Sequence, residues 1–187
     1  MKRLFFLLAA MLACFAVHAQ SDIDGTWFLD RSENQTLNEG SMDGNTDIKA
    51  SVQYVFDRDR YIATMKAIVT MDLSSREDDT KANIYVELTA SMTGALTRSG
   101  DVITLVPDSK KKPSVDIDAK VDGVPGGGMI KNMIVSPLKK ELTSELKKKE
   151  SYTIVSVTES SLTLRDIPSK KEQAKGEIPE TVTFSRR

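Results

Sequence analysis

The side chains that most often perform acid–base, nucleophilic or metal chemistry are almost missing from this chain. It contains one His, His18, and one Cys, Cys14. Both precede Gln20, in a stretch that reads as a leader. A Ser-His-Asp or Cys-His device needs an imidazole to take the nucleophile's proton near neutral pH, and zinc, copper and non-haem iron sites rest largely on His and Cys. A chain beginning at Gln20 can build none of these, and no disulfide. Only carboxylate, phenol, hydroxyl and amine groups remain, so no catalytic residue, metal or cofactor is assigned and the chain is expected not to be an enzyme.

The remaining constellations point to ordinary surface. Asp43-Gly44-Asn45-Thr46-Asp47 places oxygens at alternate positions, as a calcium loop does. Its sixth position is Ile48 where the turn wants Gly, and its twelfth is Tyr54 where a bidentate Glu belongs. This segment reads as an exposed polar turn. Asp116, Asp118 and Asp122 share one side of an expected strand, with Lys120 among them as a neutralising charge. Among 27 acidic residues nothing singles out a facing pair for glycoside hydrolysis. Lys110-Lys111-Lys112 and Lys147-Lys148-Lys149 read as solvated charges. A nucleic-acid partner is excluded by the balance, which without Lys2 and Arg3 is 24 basic to 27 acidic residues.

The leader itself has three parts. Lys2 and Arg3 open it, an apolar run extends from Leu4 to Val17, and Val17-His18-Ala19 ends it. That order is the signature of a secretory signal peptide, here residues 1–19, and it implies a periplasmic or secreted protein. Lipid anchoring through Cys14 is the less favoured alternative, because Phe15-Ala16-Val17 continues the apolar run where a lipid-anchored chain becomes polar. The run is too short to serve as a transmembrane span.

The elements that would position any site follow from hydrophobic periodicity. Ile48, Ala50, Val52, Tyr54 and Phe56 alternate with polar neighbours, as do Tyr61, Ala63, Met65, Ala67, Val69, Met71 and Leu73. Ala82, Ile84, Val86, Leu88, Ala90 and Met92 share a third such face. Further strands are expected at Gly25 to Leu29, Val102 to Val106, Val115 to Val121, Tyr152 to Val157, Ser161 to Leu164 and Thr181 to Ser185. Between them Ile130, Met133, Ile134, Leu138, Leu142 and Leu146 recur at helical spacing, so one amphipathic helical insertion is expected over about 129–150. Ser136-Pro137 would divide it in two, and the lysines 147–149 would complement the dipole of its last turn. About nine strands with polar outward faces describe a mainly β, antiparallel up-and-down barrel of 8–10 strands, forming a single domain over residues 20–187.

Gly25-Thr26-Trp27 on the first strand of such a chain resembles the opening motif of the lipocalins and the wider calycin group. The chain also resembles the lipocalin-like domains of secreted proteins from Bacteroidetes-type bacteria. The lipocalin Thr-Asp-x-Tyr loop motif is absent. The resemblance implies that Trp27 closes the barrel base beside Gly25, with a basic residue from the end of the last strand, Arg186 or Arg187, packed across the indole. It implies a cavity for a small hydrophobic or amphipathic ligand, lined by Tyr54, Phe56, Tyr61, Met65, Val69, Ile84, Val86 and Leu88. The alternative left open is a filled barrel that acts as a non-catalytic interaction module for a cell-envelope protein.

Overall fold

A computed structural model describes residues 23–39, 41–77, 80–169, 173, 174, 176 and 178–187; the expected leader lies outside them. Among the described residues nine strands run in the order β1 (Gly25–Glu39), β2 (Met42–Asp57), β3 (Arg60–Ser75), β4 (Lys81–Ser99), β5 (Val102–Pro107), β6 (Ser114–Asp122), β7 (Glu150–Val157), β8 (Ser161–Asp166) and β9 (Thr181–Arg186). One helix, α1 (Gly127–Glu145), separates β6 from β7. Every pairing is antiparallel. β1, β2, β3, β4, β5, β7, β8 and β9 follow one another around a ring that closes where Trp27 and Phe28 pair with Arg186 and Ser185. The protein is therefore an eight-stranded antiparallel barrel with a helical insertion, as the alternation indicated.

The ninth strand makes the barrel lopsided. β4 pairs with β3 from Lys81 to Ala95, but its other edge is divided: Asn83 to Ser91 pair with β6, and Gly94 to Ser99 pair with β5. β1 to β4 together with β6 consequently rise as a five-stranded sheet well beyond the short strands β5, β7, β8 and β9. Gly94 sits where β4 changes partner. A Cβ there would lie 2.2 Å from the Val106 carbonyl oxygen and 2.5 Å from the ring of Tyr61, its cross-strand neighbour. Only hydrogen fits that space, and the Tyr61 ring covers it.

The register stacks the inward side chains in layers. Phe56, Tyr61 and Gly94 form the lowest, then Trp27, Tyr54, Ala63 and Met92, then Leu29, Val52, Met65 and Ala90. The lower end is packed solid by Ile23, Trp27, Phe56, Tyr61, Leu96, Ile103, Leu105, Leu162, Leu164 and Phe184. Trp27 is fully buried, its indole Nε1 donates to the Ile23 carbonyl at 2.7 Å, and the Arg186 guanidinium lies 4.3 Å from the ring centroid. Arg186 also donates to the Asp24 carbonyl at 2.7 Å. Gly25 has φ +128°, and a Cβ there would come within 3.2 Å of that guanidinium, so its hydrogen leaves room for the cation.

Three local expectations are corrected. α1 is one helix ending at Glu145 and passing through Pro137, which faces solvent. Lys147 to Lys149 lie after its C-cap, so they belong to the connection into β7. Asp43 to Asp47 is strand, not a turn, because β1 and β3 flank β2 along this whole length. Leu138, Leu142 and Leu146 of the helix pack against the buried cluster Leu88, Ala90 and Val115, which Met65, Ala67 and Ile117 also adjoin, while Met133 of the same apolar series is 69% exposed. The helix runs from Gly127, beside the Val121 backbone near the sheet's tip, down to the barrel's open end.

Candidate functional site

Where β1 and β9 part after their two-residue pairing, the barrel opens into a cleft of about 1100 Å³. Its floor is Leu29, Val52, Tyr54, Tyr152, Val182 and Phe184, contributed by β1, β2, β7 and β9. Charged residues surround it: Arg31 on β1, Glu145 at the end of α1, Lys148 and Lys149 in the connection that follows, Glu150 on β7, Asp166 closing β8 and Glu180 before β9. Strand alternation delivers the floor, since 52 and 54 on β2, and 182 and 184 on β9, share the inward parity of Phe56 and Arg186.

The floor is aromatic and internally ordered. Tyr54 stacks on Phe56 with centroids 5.5 Å apart and meets Phe184 edge-on at 5.5 Å. The Tyr152 hydroxyl donates to Glu150 Oε2 at 2.8 Å and also interacts with Tyr54. Burial, then the charge of Glu150, holds the Tyr54 phenol well above the usual range. Burial does the same to Tyr152, reinforced by Tyr54 and Glu150. Tyr61, one layer below, is pushed up to about 12 by burial and then by Glu150. All three are neutral hydrogen-bonding groups at neutral pH. At the rim, Arg31 pairs with Glu180, and Lys148 with Glu145 at 2.6 Å.

Of the expected lining residues, only Tyr54 faces this cleft. Phe56 and Tyr61 belong to the solid base, while Leu88 and its neighbour Met65 belong to the separate cluster against which α1 packs. Val69, Ile84 and Val86 stand higher, on the part of the sheet beyond the barrel ring. All eight share one parity in the β1–β4 register, but that face is much taller than the cavity. The small side chains Ala67 and Ala90 belong to that second cluster, not to the cleft. Leu29, Val182 and Phe184 carried a usable signal in their own strands' alternation; Glu150 and Tyr152 become site residues only through the β5–β7 pairing.

Among the described residues, no group of three or more His, Cys, Asp or Glu side chains could hold a metal ion, and no helix is long and apolar enough to cross a membrane. No protein-family model matches the chain, and no curated protein shows significant similarity to it.

Proposed function

We propose that the protein is an extracytoplasmic, lipocalin-like carrier that reversibly binds a small hydrophobic or amphipathic molecule at the barrel mouth. The observation that carries this reading is the cleft of about 1100 Å³ with a floor of Leu29, Val52, Tyr54, Tyr152, Val182 and Phe184. Its volume is of the order of pockets that enclose small molecules, and its apolar floor and polar rim suit a ligand with a greasy body and a wet end. The leader at residues 1–19 supports export, and Gly25, Trp27 and Arg186 act as the barrel's closure. No residue has a catalytic part in this reading.

Titration of residues 20–187 with the neutral dye Nile red tests it. Saturable binding with a blue-shifted emission is expected, together with its loss in Val182→Trp, which fills the floor. Absence of saturable binding by the wild-type protein would refute the carrier reading.

A second reading, a cell-envelope interaction module, is favoured by Met129 and Met133. One turn apart on α1, they are 72% and 69% exposed.

A further inference from the structure

We infer that the outer face of α1 rests on an anionic phospholipid bilayer, with Met129 and Met133 dipping among the lipids and Lys139, Lys140 and Lys147 facing the headgroups. None of these side chains lines the cleft, so such docking is independent of what the barrel carries. Positive charge is concentrated here in a chain whose balance is otherwise acidic. Residues 127–149 hold six Lys and two Glu, with no Asp or Arg. Lys131 is taken up by Asp118 and Lys148 by Glu145. Lys139, Lys140 and Lys147 are exposed and have no ion-pair partner among the described residues.

Helical spacing puts apolar and basic groups on one stripe. Met129, Met133 and Lys140 fall within about 40° of one another around the axis, and Leu138, in the middle of the packed ridge, lies on the opposite side. Both Met side chains are largely exposed. Gly127 lies beside the Val121 backbone and Lys131 reaches Asp118 at 3.0 Å, so α1 runs back along β6. The helix is about 28 Å long and β6 about 30 Å, which returns Lys147 to the level where β6 begins. Lys110, Lys111 and Lys112, all exposed, stand just before that point and add to the positive field. An anionic bilayer suits this surface better than a folded partner does. It asks for charge and a shallow apolar insertion without fixed shape, which unbranched Met side chains and long lysine stems supply. Each lysine held within a Debye length of such a surface strengthens adsorption roughly fivefold at low salt.

The test is flotation of residues 20–187 with vesicles of equal parts phosphatidylglycerol and phosphatidylcholine, against vesicles of phosphatidylcholine alone, at neutral pH and low salt. The anionic vesicles should bind at least about 10-fold tighter, and salt at about 0.5 M should abolish the difference. Joint replacement by Lys139→Gln, Lys140→Gln and Lys147→Gln should weaken adsorption by about 20-fold or more, and Met129→Ser with Met133→Ser by about fivefold. All five positions are exposed, and circular dichroism checks that both variants fold. Residues 20–187 contain no Cys, so Met133→Cys can carry a polarity-sensitive dye at one site. Its emission should shift to the blue on anionic vesicles, and that of the same dye on Ser99→Cys, at the closed end of the barrel, should not. Equal binding to both kinds of vesicle, unchanged adsorption of the triple lysine variant, or a shift at Ser99→Cys but not at Met133→Cys would overturn lipid docking. Binding to neither kind would overturn it too and leave Met129 and Met133 to a protein, while Nile red binding, read without vesicles, decides the carrier reading separately.

Discussion

Replacing Trp27 with Ala examines the closed end of the barrel. The indole is fully buried, and removing so large a side chain from a solid core costs about 3–5 kcal/mol. The Ile23 carbonyl, which accepts from Nε1 at 2.7 Å, loses its partner, a further ~1 kcal/mol. Arg186 is exposed, so its position 4.3 Å over the ring is worth only about 0.5–1 kcal/mol, and its hydrogen bond to the Asp24 carbonyl about 1 kcal/mol. Trp27→Ala should therefore lower the unfolding free energy by ~4 kcal/mol and Arg186→Ala by ~1–2 kcal/mol. The double variant should fall short of the sum by about 0.5–1 kcal/mol, the part the stack contributes. Urea unfolding of residues 20–187, followed by far-ultraviolet circular dichroism because Trp27 is the only Trp, measures all three values. A loss below ~1 kcal/mol for Trp27→Ala would refute the view that the indole plugs the base, and strict additivity would remove the stack from the account.

Gly94→Ala should destabilise by about 1–3 kcal/mol in the same assay, because its methyl would meet the Val106 backbone oxygen at 2.2 Å; an unchanged midpoint would show that β4 does not need this pinch. Pro137→Ala should stabilise the protein by ~1 kcal/mol or more, since Pro interrupts the ladder of α1 at an exposed position, and calorimetric melting would detect the rise. Alkaline stability should collapse early. Tyr54, Tyr61 and Tyr152 all have phenol pKa values raised above the ordinary 10, Tyr61 to about 12. Between pH 10 and 12 the unfolded chain ionises these phenols and the folded one does not, so stability that is complete below pH 10 falls with rising pH, by up to ~4 kcal/mol per pH unit if all three contribute. Urea midpoints across that range, with phenolate absorbance at 295 nm, would check it; a flat profile would contradict the burial of these rings.

The barrel was legible in the sequence because each of its strands has one wet face, and period-2 alternation survives wherever that is true. The pairing of Trp27 with a terminal arginine came from the resemblance to the lipocalins, which left Arg186 and Arg187 open; the β1–β9 register puts Arg186 over the indole. Strand length was harder to read. Asp30 to Asn38 is exposed on both faces of a projecting sheet, so no alternation marks it, and β1 extends well past Leu29. The site was hardest, because its floor is defined by height along the barrel, a quantity fixed by register and by the helix that packs on Leu88, Ala90 and Val115. Residues such as Val69 and Phe56 share an inward parity with Tyr54 and Val52, and only the pairing separates them.

The central claim, that the barrel mouth holds a small molecule, is tested most directly by native mass spectrometry of the protein purified from its natural source, compared with the same sample denatured. The account predicts an excess mass on the native protein that is released on denaturation, and that is lost in Val182→Trp. A native mass equal to the bare chain, in a protein that also fails to take up Nile red, would contradict it and turn attention to Met129 and Met133 as a protein-binding surface.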